Sequence, residues 1–197
     1  MSLLLMLLTS GCLTPLTGVL KPASAPVTMT AIPGKAHLVF LRPEQFVGAS
    51  LSTLVFDPAS RKVWGKSVNG AAFAVDVEPG RYELCQIPFL EGAVRQFTSV
   101  EYEQIGVTTP LTRLEVEAGK SYLLQMKVEW GARVEALPVR PGTPREEVLL
   151  ATLQRVRHAE VASVETLDEK SAAAWADLCR VTSGPTVRLE LKASDGR

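Results

Sequence analysis

GAAFAVDVEPGRYELCQI, residues 70–87, carries the pattern that decides the fold. Phe73, Val75 and Val77 alternate with Ala74, Asp76 and Glu78, so every second side chain can face a core while its neighbours face water. Pro79-Gly80 then supplies a turn, after which Tyr82 and Leu84 share one side and Arg81, Glu83 and Cys85 the other. Two period-2 segments about a Pro-Gly turn are half-buried strands. Upstream, Asn69-Gly70 tolerates positive φ at both residues and predicts a hairpin between 61–68 and 70–78.

The same pattern extends in both directions. AHLVFLR (36–42) and SLSTLVFD (50–57) are apolar runs closed by Arg42-Pro43 and Asp57-Pro58, and TRLEVEAG (112–119), KSYLLQMKVEW (120–130) and ARVEAL (132–137) follow. About eight short strands with frequent turn signals predict an antiparallel β-sandwich or barrel. The period changes at Thr143-Pro144-Arg145-Glu146, a capping box with proline at the first helical position. Leu149, Leu153 and Val156 continue it as a helix to about Ala159. Ala172, Trp175, Ala176 and Cys179 mark a second helix, and TVRLELK (186–192) a final strand. The expected class is mainly β (α+β): an antiparallel sandwich over 35–138 with a C-terminal helical pair in 139–197 packed on it.

The N-terminus says where such a body would reside. Leu3 to Leu8 is an apolar run of six, too short to cross a bilayer, which takes about 20 residues. A short apolar core followed by small residues, here Ser10-Gly11 before Cys12, has the form of a signal peptide over residues 1–11. The stretch resembles the lipobox of bacterial lipoproteins, which implies that Cys12 becomes the lipidated first residue of the mature chain. Thr9 stands where that motif usually has leucine, and no Lys or Arg precedes the run, as a start codon placed upstream would explain. By the same resemblance Leu13, which is not aspartate, directs the protein to the outer membrane, facing the periplasm. The alternatives are plain secretion and a greasy terminus on a cytosolic protein. Residues 12–34 read as a flexible, proline-rich tether, broken only by a PVTMTAI patch, able to span about 70 Å at ~3.3 Å per residue.

KAHLVFLRPEQFVGASLS, FAVDVEPGRYEL and LEVEAGKSYLLQMKVEWG, in this order and spacing, resemble a group of bacterial envelope lipoproteins whose small domain is of unknown function. The residues that carry the likeness are Arg42-Pro43, Pro79-Gly80-Arg81-Tyr82 and Ala118-Gly119-Lys120-Ser121-Tyr122. The resemblance implies a transthyretin- or immunoglobulin-like sandwich and an envelope address, and brings no chemistry with it.

Nothing in the chain reads as a catalytic motif. Lys plus Arg and Asp plus Glu are 21 each and scattered, which disfavours nucleic-acid binding, a role that needs a clustered basic surface. Gly65-Lys66-Ser67 and Gly119-Lys120-Ser121 lack the upstream glycine of a phosphate loop and lie at strand ends. His37 and His158 are the two histidines, too few and too far apart for a zinc cluster, so no metal or other cofactor is expected. Glu101, Glu103, Glu115 and Glu117 alternate on strand faces as solvated carboxylates.

With Cys12 lipidated, Cys85 and Cys179 remain, an even number in an oxidising compartment. A bridge would close a loop of about 95 residues, worth roughly 4 kcal/mol in the chain-entropy model. It forms only if the second helix packs on the sheet face that carries Cys85; two buried thiols are the alternative. The expected role is non-catalytic: a structural or protein-binding lipoprotein, attached to the membrane by its lipid, whose sheet edges and loops recruit an envelope protein by strand addition. A glycan- or peptidoglycan-binding module is the second reading, with Trp64 or Trp130 exposed as a stacking platform. An enzyme with polar groups converging around His37 is the third.

Overall fold

The computed structural model describes residues 20–90, 109–128, 134–161, Ala173, Asp177, Cys179 and 190–197. The alternating segments form strands close to where the pattern puts them: β2 Ala36–Arg42, β3 Leu51–Asp57, β4 Lys62–Ser67, β5 Ala71–Val77, β6 Gly80–Leu90, β7 Thr109–Val116, β8 Ser121–Val128 and β9 Val134–Val139. Three more are β1 Leu20–Pro22, β10 Arg157–Val161 and β11 Glu190–Leu191. Among the described residues an α-helix, α1, spans Pro144–Leu153, and a 3-10 turn spans Ala193–Asp195.

The strands make two mixed sheets. Sheet A has the order β1-β10-β5-β2-β8-β9 and sheet B the order β11-β7-β6-β3-β4. The expected all-antiparallel arrangement is corrected, because β10–β5, β2–β8 and β11–β7 are parallel pairs. Period-2 alternation reports which face a side chain takes and carries no information on strand direction. The hairpin expected at Asn69-Gly70 is also absent, since β4 lies in sheet B and β5 in sheet A. Gly70 takes φ +64 there, so the pair turns the chain from one sheet into the other.

Leu38, Phe40, Phe73 and Leu124 of sheet A share one buried cluster with Val55, Trp64, Leu84 and Leu114 of sheet B. Phe40 and Phe73 lie opposite each other in register and stack with centroids 4.8 Å apart. Gly65 of β4 faces the Phe73 ring so closely that a Cβ there would overlap it. Arg42, 1% exposed at the end of β2, donates from its guanidinium to the carbonyls of Leu51 and Gly48, the latter at 2.6 Å. It thereby clamps the chain where it crosses from sheet A to sheet B.

The opposite face of sheet A is apolar too. Val39, Leu41, Leu123 and Val139 cluster with Leu149 and Leu153 of α1. Thr143 caps α1, its Oγ accepting from the Glu146 N–H at 3.3 Å, while the buried Glu146 carboxylate accepts from the Gly142 N–H at 2.7 Å and from Arg197 Nη1 at 3.0 Å. The helix stops at Leu153 rather than near Ala159. Val156 still packs on the cluster, but Arg157–Val161 turns into β10 and satisfies the free edge of β5, with Arg157 opposite Ala71 and Ala159 opposite Phe73. The expected C-terminal helical pair is not seen: α1 is the one α-helix with described bounds, and of the second only Ala173, Asp177 and Cys179, at single helical positions, lie among the described residues. The rest of it, and most of the final strand, lie outside the described residues.

The flexible tether is corrected over much of its length. Leu20–Pro22 pairs antiparallel with β10, and Val27 and Met29 of the PVTMTAI patch pack on the outer cluster of sheet A. The reason is a short alternation in which Val27 and Met29 face the sheet and Thr28 and Thr30 face water.

Candidate functional site

Register brings three polar residues together on the outer face of sheet A. His37 of β2 stands opposite Asp76 of β5 on one side and Ser121 of β8 on the other. His37 Nδ1 is 2.7 Å from Asp76 Oδ1, and its Nε2 is 2.9 Å from the carbonyl oxygen of Thr28. The His37 ring thus lies between a carboxylate oxygen and a main-chain carbonyl oxygen. Ser121 Oγ donates to the Met29 carbonyl at 2.7 Å and lies 3.4 Å from that of Arg197. His158 of β10 lies off that row, opposite Ala72 and so four residues along β5 from Asp76, and its Nδ1 accepts the Val27 N–H at 2.7 Å.

Serine, histidine and aspartate in a row have the composition of a nucleophile–base–orienter set, yet the bonds run elsewhere. A nucleophile needs its hydroxyl proton directed at the base. Here the Ser121 hydroxyl is directed at one main-chain carbonyl and His37 Nε2 at the preceding one, so the row holds a polypeptide backbone. Sequence reading singled out His37 as a place where polar groups could converge and missed Ser121, Asp76 and His158 as its partners. The signal for Asp76 is its polar position in the β5 alternation; that it faces His37 depends on register, which one sequence does not give.

Cys85 and Cys179 are joined in a disulfide, with Cα atoms 6.2 Å apart. Cys85 belongs to the outer face of sheet B, so the condition that the helical residue Cys179 reach that face is met. Trp64 is 5% exposed, its indole edge against Tyr82 with centroids 5.1 Å apart, and offers no stacking platform. Cys12, Trp130, Glu101 and Glu103 lie outside the described residues. Glu115 pairs with Arg81 at 3.0 Å and Glu117 with Lys120 at 2.7 Å. Among the described residues no group of three His, Cys, Asp or Glu could hold a metal ion. No described helix is long and apolar enough to cross a membrane.

Strand addition to sheet A meets obstacles at both edges. In β1 the Ala23 N–H donates to the His158 carbonyl at 3.0 Å, so by alternation Pro22 presents its main chain outward, where it has no N–H to offer. In β8 the Lys120 carbonyl accepts the His37 N–H at 2.9 Å, which turns the main chain of Leu123 and Gln125 towards β9 and that of Pro138, opposite Leu124, outward. The outward Val134 carbonyl is taken by Gln86 Nε2 of sheet B at 2.7 Å. What stands free is a side chain in the β2–β3 loop: Phe46 is 95% exposed. The loop around it is pinned by Arg42 on Gly48, by paired hydrogen bonds between Gln45 and Asn69 at 3.1 Å, and by Gly48 against Val128.

No protein-family model matches the chain, and a search of the curated proteins finds no match.

Proposed function

We propose that this is a lipid-anchored bacterial envelope protein, tethered through Cys12 and facing the periplasm from the outer membrane, with a structural or protein-binding role and no chemistry of its own. Its body is a β-sandwich of transthyretin or immunoglobulin type, with α1 as an outer layer on sheet A. The observation that carries the reading is the Cys85–Cys179 bridge. The chain has three cysteines, so the bridge accounts for every thiol except Cys12, and disulfides persist where exported proteins reside. Two or more acyl chains suffice for stable anchoring at about 0.8 kcal/mol per buried methylene. A protein-binding role is supported by Phe46, an exposed aromatic on a pinned loop, since aromatic anchors supply much of the binding energy at interfaces.

Mass spectrometry of the mature N-terminus tests the anchor. The native chain is expected to begin at Cys12 with diacylglycerol attached, and a Cys12→Ala form to keep its leader and stay unmodified. A native chain with residues 1–11 intact and no acyl mass overturns the reading.

A further inference from the structure

Three consecutive residues ahead of β2 are gripped by side chains from three different strands of sheet A. The Val27 N–H goes to His158 of β10, the Thr28 carbonyl to His37 of β2, and the Met29 carbonyl to Ser121 of β8. Asp76 of β5 orients His37 from behind. The three contacts to residues 27–29 are all to main chain, so none depends on the identity of the gripped residues. Residues 23–30 belong to no strand and run across the sheet, with the exposed Thr28 and Thr30 alternating with the half-buried Val27 and Met29. Those two side chains enter the apolar surface of Val39, Leu123, Leu149 and Leu153. Such an arrangement recognises an extended backbone with apolar residues two apart.

We propose that His158, His37 and Ser121 together form a peptide-binding site that the chain fills in cis with residues 27–29. Its partner is an extended, uncharged segment of another protein with apolar side chains at positions i and i+2, which binds by displacing the chain's own segment. Residues 27–29 can leave without breaking a sheet ladder, because these polar contacts are to side chains of the sheet. The inference deepens the protein-binding half of the reading above, and its failure leaves the lipid on Cys12 untouched.

The probe is a labelled, end-capped peptide of sequence ASAPVTMTAIPG, residues 23–34. It is titrated by fluorescence anisotropy into the full chain and into a full-chain variant carrying Val27→Asp and Met29→Asp, which empties the site. The peptide is expected to bind the variant at least tenfold more tightly than the wild type, and His37→Ala in the variant background to weaken that binding about tenfold. Folding of the variants is checked by protection of the Cys85–Cys179 bridge from reductant. A measurement on the wild type alone covers a variant that fails to fold: excess peptide should speed amide hydrogen exchange at Val27 while leaving β2 protected. Equal binding to both forms, binding indifferent to His37→Ala, or unchanged exchange at Val27 under excess peptide overturns the proposal.

Discussion

Cys85, in the middle of β6, is bonded to Cys179, 94 positions later in the chain. The bridge fixes a helical residue on the outer face of sheet B, where Leu54, Phe56 and Ile87 are all at most 4% exposed. A loop of this length constrains the unfolded chain by about 4 kcal/mol. Cys85→Ser and Cys179→Ser should each lower the unfolding free energy by about that amount in urea titrations, and reductant should then have no further effect. A loss below about 1 kcal/mol in either variant would remove the bridge from the account of stability.

Gly65→Ala tests the close approach of β4 to the aromatic stack. The added methyl meets the Phe73 ring, which is itself held against Phe40, so strain of roughly 2–3 kcal/mol is expected from overpacking. Phe73→Leu in the same chain should recover part of the loss, and a double-mutant cycle measures how much.

Arg42→Met keeps the length of the stem and removes the guanidinium. The Leu51 and Gly48 carbonyls lose a charged donor, at a cost of about 3 kcal/mol. Arg42→Lys should fall between the two, since an ammonium is not a planar fork. The readouts are urea midpoint and the rate of proteolysis in the 43–50 loop.

Burial, first of all, holds the Tyr122 hydroxyl above the ordinary tyrosine value of about 10, and burial followed by Asp57 and Glu78 does the same to Tyr82. The folded state therefore keeps these protons more tightly than the unfolded state. The stabilisation is complete below the unfolded value and is lost as pH rises through the folded ones. Urea midpoints should be level up to about pH 9 and fall above pH 10, and Tyr122→Phe together with Tyr82→Phe should flatten that fall. A decline equally steep in the double variant would assign it to other groups.

Phe46→Ser should leave stability within about 0.5 kcal/mol of wild type, because the ring contacts little of its own fold. In crosslinking of the detergent-solubilised envelope, it should reduce whatever species the native chain captures through the β2–β3 loop. An unchanged crosslinking pattern would take the partner contact away from this loop.

Much of the architecture was legible because its causes are local. β2 is read at its observed bounds from AHLVFLR alone, and Thr143-Pro144 marks the start of α1 correctly. Register and sheet membership are not local. Asn69-Gly70 makes the turn that its residues favour, but where β5 goes next depends on β2, thirty residues upstream, and on β10, far downstream. The end of α1 is misread for a related reason: Val156 continues the helical stripe, while the vacant edge of β5 draws Arg157 and His158 into a strand. The candidate site suffers most, since His37, Asp76 and Ser121 come from three strands and meet through pairings that no single segment announces, and His158 comes from a fourth.

The short strand β1 shortens the leash. Once Leu20 is zipped to Val161, eight residue steps remain between the folded body and Cys12, no more than about 26 Å of extended chain. With fatty acids on that sulfur, the protein would graze the lipid headgroups instead of ranging through the space beyond them. Any partner would have to be met in that thin shell, and peeling away residues 20–29 would let the body swing about twice as far out.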